Sequence, residues 1–191
     1  MAINRVPLRD LRDPTSGGGT AQYLADFVED MRKGELSFAY QYRWSAMIVT
    51  GLTGTLSDQG TRTGTLITDD QSADMRLASL LVGRVFLLRK NGSQQAPGQI
   101  RVGRIAENDV AIPEFSISKH HCLLRRAPNR TTIEDLGSTN GSLVNGTKLI
   151  PQQQYAVEDG SEIVLGRFVF LFFTARGFVD YVKSELAKSP E

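Results

Sequence analysis

From Leu80 onward the chain consists of short apolar runs broken every few residues by glycine, proline, asparagine or aspartate, a texture that suits a β-sandwich or barrel. The predicted strands are Val82–Leu88, Gln99–Gly103, Asp109–Ile112, His121–Arg125, Thr131–Asp135, Ser142–Val144, Ile163–Leu165 and Phe168–Thr174. Asn91-Gly92 and Asn145-Gly146 are the dipeptides that tight hairpin turns demand, since both residues accept positive φ.

Upstream of this stretch the pattern changes. Residues 1–20 end in Ser16-Gly17-Gly18-Gly19 and have no apolar signal core, which predicts a flexible arm. Tyr23, Leu24, Phe27, Val28 and Met31 recur at helical spacing, and Gly34 supplies a stop, so a helix is expected over about 21–33. Between 35 and 50, Phe38, Tyr40, Tyr42, Trp44, Ala46 and Ile48 alternate as a strand would, while no turn residue interrupts a helix either; their aromatic and β-branched character favours a strand. Residues 51–70 are rich in glycine and threonine, with Thr-Gly-Thr-Leu beginning at Thr53 and again at Thr63, and read as a hairpin or loop. Beyond Gly177, the residues Phe178, Tyr181, Val182 and Leu186 share one helical face and predict a closing helix. The expected organisation is an extension over 1–79, a β domain over 80–176, and a helix with its tail over 177–191.

Bulk properties narrow the function. A formal net charge of +1 over 191 residues gives no global attraction to nucleic acid or to a membrane surface. No apolar run approaches the roughly 18 to 20 residues that a membrane helix needs. One cysteine, Cys122, excludes an intrachain disulfide, and a cytoplasmic location is the expectation. His120-His121-Cys122 invites a metal reading, but neighbours on a strand point to opposite faces, and two histidines with one cysteine are too few for a zinc site. Neither metal nor cofactor is expected. The chain lacks a Gly-x-Ser-x-Gly elbow, a Walker loop and paired histidines at helical spacing, so no enzyme activity is expected either. Trp44 with Tyr40 and Tyr42 could form a base-stacking strip, but Arg43 is the sole basic residue nearby in sequence and packing is the preferred use.

Three separated motifs carry the functional reading: Gly103-Arg104 followed by Asn108-Asp109; Ser118-Lys119-His120-His121; and Asp135-Leu136-Gly137-Ser138-Thr139-Asn140-Gly141 followed by Asn145-Gly146. In order and spacing they resemble the signature of the forkhead-associated (FHA) family, over about half of the chain. The resemblance implies an FHA-type β-sandwich with an N-terminal helical or mixed extension and a C-terminal helix. It also implies a phosphothreonine-binding function. Arg104, Ser118 and Lys119 would hold the phosphate and Thr139 would add a contact, while Asn140 would bond the main chain of the bound peptide. Gly103, His121 and Asn145 would support the site.

The chemistry is consistent with that division. A phosphothreonine carries close to two negative charges and three acceptor oxygens, which call for a planar permanent cation, small hydroxyls and backbone N–H groups. Loops cluster at the ends of a sandwich, so distant stretches of chain can meet on one ligand. The expected partner is a phosphothreonine-containing protein, a Ser/Thr kinase or its substrate. Self-binding is a further expectation: a phosphate on Thr53, Thr55, Thr63, Thr65 or Thr68 would meet its own domain at high effective concentration. The alternative is a structural interaction module that uses the sandwich without phosphate.

Overall fold

The computed structural model describes residues 22–53, 80–91, 96–128 and 130–188. The predicted arm over 1–20, the Gly/Thr-rich segment from 54 to 70 with its threonines, and Gly92 lie outside these residues.

Twelve strands form among the described residues, in two sheets. They are β1 Gln22–Tyr23, β2 Ser45–Leu52, β3 Arg84–Leu88, β4 Gln99–Gly103, β5 Val110–Ala111 and β6 Cys122–Ala127. Then follow β7 Arg130–Asp135, β8 Ser142–Val144, β9 Thr147–Lys148, β10 Gln154–Val157, β11 Glu162–Leu165 and β12 Phe168–Phe173. One sheet has the order β1-β3-β2-β12-β11-β8-β9, and the other β10-β7-β6-β4-β5. Pairing is antiparallel except between β4 and β5. Three helices accompany them: α1 Leu24–Arg32, α2 Glu35–Gln41 and α3 Ala175–Lys188.

The larger sheet is covered on both faces. Toward the second sheet it sends Met47, Val49, Phe86, Leu88, Phe168, Phe170 and Phe172, which meet Val102, Leu124 and Ile133 in the main core. Toward the helices it sends Ala46, Ile48, Val85 and Phe173, which pack with Phe27, Val28, Met31, Phe38, Tyr42, Phe178 and Val182. Aromatic rings knit this second layer, with Phe27 lying 5.2 Å from Phe178 and 4.8 Å from Tyr42. The layers are therefore sheet, sheet, helices. Double coverage also explains why Ser45–Val49 are buried without interruption and why β2 shows no polar face in the sequence.

Two upstream expectations need correction. Residues 35–41 are helical, not extended, because Phe38 and Tyr42 stand one turn apart and both rings enter the cluster with Phe27 and Phe178. Tyr42 is core; its hydroxyl donates to Asp30 at 2.5 Å. The strand begins at Ser45, and its position corrects the boundary drawn at residue 80. β2 lies between β3 and β12, so a strand assigned to the extension is an internal member of the sandwich. The short strands β1, β9 and β10 were not anticipated.

Strand direction sets two poles. β4 and β7 run antiparallel to β6. The end of β4, the approach to β6 and the exit from β7 therefore share one pole. The start of β4, the end of β6 and the start of β7 share the other, about 20 Å away for a six-residue strand.

Candidate functional site

Arg104, Ser118, Lys119, Thr139 and Asn140 all line one open cleft of about 560 Å³ at the first pole. Three loops supply them: the exit of β4, residues 112–121, and residues 136–141. Phe115, Ser116, Ile117, His120, Leu136 and Gly137 complete the wall, so among the described residues no aspartate or glutamate lines the cleft.

Backbone and buried side chains lock the loops together. Arg104 N–H donates to the Ser118 carbonyl at 2.9 Å. The Asn108 amide is fully buried and donates to the carbonyls of Lys119 at 2.7 Å and Ile105 at 2.8 Å. Thr139 N–H donates to Ser118 Oγ at 2.9 Å, and the two hydroxyls are 3.4 Å apart. The Asn140 amide nitrogen donates to the Ser116 carbonyl at 2.8 Å, which leaves its Oδ1 without a partner among the described residues. Neither the Arg104 guanidinium nor the Lys119 ammonium has a side-chain partner among them. The arrangement presents two uncommitted cations and two hydroxyls to one concave surface.

His121 lies behind the cleft, fully buried. Ser118 N–H donates to its Nδ1 at 3.0 Å, so the ring proton sits on Nε2 and faces the Gly141 carbonyl at 3.3 Å. The neutral ring thus ties two of the three loops together. Burial pushes its pKa below the ordinary histidine value, against the opposing pull of the Asp135 carboxylate and the Gly141 carbonyl. Below about pH 6.5 the unfolded chain therefore binds a proton that the folded ring refuses. Stability is therefore complete above that value and declines as the pH falls toward the lowered folded pKa. Denaturant titrations at stepped pH should show this loss, and His121→Asn should flatten it. An unchanged slope in the variant would reject the assignment.

The turn after β7 is organised by Asp135. One carboxylate oxygen accepts the N–H groups of Gly137 and Ser138, both at 2.8 Å, and the other accepts the hydroxyls of Ser138 at 2.6 Å and Ser142 at 2.5 Å. Burial raises the Asp135 pKa, yet these donated bonds outweigh it and hold the carboxyl below its ordinary value. Behind the 112–121 loop, the Glu114 carboxylate accepts Ser116 N–H at 2.8 Å and the Ser116 hydroxyl, and pairs with Arg167 at 2.5 Å. The Arg167 guanidinium also lies 4.5 Å from the Phe115 ring, which walls the cleft. Glu114, Ser116 and Arg167 were not legible as site supports, since Arg167 stands far away in the chain.

The remaining sequence candidates sit nearby. Gly103 packs so closely on the Lys119 carbonyl that a Cβ there would lie 2.3 Å from its oxygen. Asn145 (φ 48°) and Gly146 (φ 78°) form the turn between β8 and β9, and Asn145 Oδ1 accepts Glu162 N–H at 2.8 Å. Asn145 therefore supports the scaffold at the far side of the turn and does not line the cleft.

A family model described as FHA domain matches residues 100–166. An ABC transporter ATP-binding/permease protein of Mycobacterium tuberculosis is 37% identical over 76 residues, which cover 40% of this chain and 8% of that protein. An FHA domain-containing protein of Arabidopsis thaliana is 40% identical over 74 residues, covering 38% of this chain and 19% of that one. The chain thus spans a small fraction of these relatives. Among solved structures, one from a structural and functional analysis of phosphothreonine-dependent FHA domain interactions aligns with a TM-score of 0.43 and 20% identity, covering 69% of this chain and 96% of the other.

Proposed function

Since residues 100–166 belong to an FHA domain, we propose that this chain is a phosphothreonine-peptide-binding adaptor in Ser/Thr kinase signalling. The observation that carries the reading is the pairing of Arg104 and Lys119 in a cleft that no carboxylate among the described residues lines, next to the hydroxyls of Ser118 and Thr139. Such a surface attracts a compact dianion and supplies the donors that its three oxygens require.

In this reading Arg104 grips two phosphate oxygens with its planar fork, and Lys119 adds a mobile charge. Ser118 and Thr139 turn their hydroxyl protons from each other toward the phosphate. Asn140, its nitrogen committed to Ser116, uses Oδ1 to accept a main-chain N–H of the peptide and so sets its register. His121, Gly103 and Asn145 act through the loops they hold. The cleft combines cations and hydroxyls suited to holding an anion, and the function assigned is capture, not turnover. The natural ligand is a phosphorylated kinase or kinase substrate, on the cytoplasmic side where such kinases act. A phosphothreonine within the chain's own N-terminal segment would compete for the same cleft. Among the described residues, no helix is long and apolar enough to cross a membrane.

The test is a phosphopeptide-library capture on immobilised full-length protein, with half of the library treated with phosphatase. Retention from the untreated half alone is expected. Equal retention from both halves would leave only a phosphate-independent interaction module.

A further inference from the structure

The second pole of the sandwich carries a different pocket, and it gathers the aromatic residues that the phosphate site leaves unused. About 520 Å³ in volume, it is lined by Trp44, Leu88, Ile100 and Leu124 together with Arg89, Lys90 and Arg126. Its floor is the rim of the main core, since Leu88 and Leu124 are 7% and 2% exposed. Among the described residues no carboxylate lines it. The Arg43 guanidinium lies over both the Tyr40 ring (5.9 Å) and the Trp44 ring (5.5 Å), and Arg89 lies over Trp44 at 5.9 Å. Sequence shows one basic residue beside this aromatic group; the fold brings in Arg89, just past the end of β3, and Arg126 from β6.

The apolar surface continues beyond the pocket. Tyr40 is 79% exposed, and Leu36, one turn earlier on the same face of α2, is 88% exposed. The track Leu36, Tyr40, Arg43, Trp44 therefore runs on the order of 10 Å outward from the cavity. That is longer than a compact small molecule needs. Lys90 is held by the Gln99 carbonyl at 3.1 Å and by Asp109 at 3.4 Å. Arg43, Arg89 and Arg126 have no carboxylate partner among the described residues.

We propose that this pole is a second docking surface, one that takes an unphosphorylated acidic segment of a partner protein carrying bulky apolar side chains. An apolar side chain enters the pocket over Leu88, Ile100 and Leu124, as anchors at protein interfaces do. The carboxylates beside it meet Arg43, Arg89 and Arg126, and a further apolar residue lies along Tyr40 and Leu36. Charge complementarity selects an acidic partner, and the floor of Leu88, Ile100 and Leu124 is aliphatic, a socket for an apolar side chain rather than a platform for a stacked base. With the two surfaces at opposite poles, one protein can hold a phosphorylated and an unphosphorylated segment at once.

The probe is a fluorescent peptide of Asp-Glu pairs interrupted by phenylalanines, without phosphate, titrated with the full chain. The controls are the same peptide with serine for phenylalanine, the same with lysine for the acidic residues, and an oligothymidylate. The Phe-containing acidic peptide should bind, with both peptide controls weaker by about tenfold or more. Arg89→Glu and Arg126→Glu, at exposed positions that leave the fold intact, should each weaken it about tenfold, and Arg104→Ala should not. Any of four results overturns the proposal: no binding by the Phe-containing peptide, equal binding by its serine version, loss in Arg104→Ala with retention in Arg126→Glu, or preferential capture of the oligothymidylate. Because Arg104→Ala is read in the same assay, failure here leaves the phosphothreonine reading independently testable.

Discussion

Arg104→Ala will weaken phosphothreonine-peptide binding by about a hundredfold or more and move the melting temperature by no more than about 2 °C. The first half of this expectation follows from what the guanidinium supplies: a permanent charge and two parallel donors for a doubly charged ligand. The second half follows from what it does not do. Its side chain has no hydrogen-bond or ion-pair partner among the described residues, and the connection of this residue to the fold is the backbone bond from its N–H to the Ser118 carbonyl, which alanine keeps. Arg104→Lys should recover part of the affinity, because the charge returns without the fork. Calorimetric titration with one phosphopeptide across the three proteins checks the series. Equal affinities for wild type and the alanine variant would remove the site.

Gly103→Ala, one residue earlier, should do the reverse and damage the scaffold first. Its methyl group would lie 2.3 Å from the Lys119 carbonyl oxygen and 2.8 Å from Asn108 Nδ2. The first obstacle is backbone and the second is the fully buried amide that holds that same backbone, so neither yields cheaply. Overpacking of this kind costs on the order of 3 kcal/mol, which for a chain of this size lowers the melting temperature by roughly 6–12 °C. Binding falls too, because relief of the clash displaces Lys119 and, through it, Ser118. Thermal unfolding with a parallel titration separates the neighbours: one variant stable and unable to bind, the other unstable and weakened in both respects. An unshifted melting curve for Gly103→Ala would show that the two loops do not pack as described.

The parts of the fold that were readable share a physical reason. β4 and β8 lie between strong turn residues, and the structure ends them at the boundaries expected, Gln99–Gly103 and Ser142–Val144. α1 and α3 each bury a single stripe, so helical spacing survives in their sequences. α2 was merged with β2 because Phe38, Tyr40, Tyr42 and Trp44 alternate in the sequence as a strand's residues would and run straight into the true strand at Ser45. β10 escaped notice for the opposite reason: it is an edge strand, with Gln154 and Ala156 exposed and little apolar signal. The five candidate ligand contacts could be named because they lie within compact motifs rich in turn residues. Their supports were harder to see. Asp135 could have been inferred from its place ahead of Gly137-Ser138, where an acceptor for free N–H groups is expected. Nothing local links Glu114 and Ser116 with Arg167.

The central placement of β2 has a consequence for how the protein is made. The larger sheet consists of two halves, and they meet only where β2 pairs with β12; the Thr50 hydroxyl, for instance, donates to the Val169 carbonyl 119 residues away. On the ribosome β2 emerges well before β12 and waits for a partner that follows it by 119 residues. Closure of that seam is accordingly a late event, and contacts of such long range fold slowly. Until then the nascent chain exposes the apolar flank of β2, which marks this strand as the place where a chaperone would be needed.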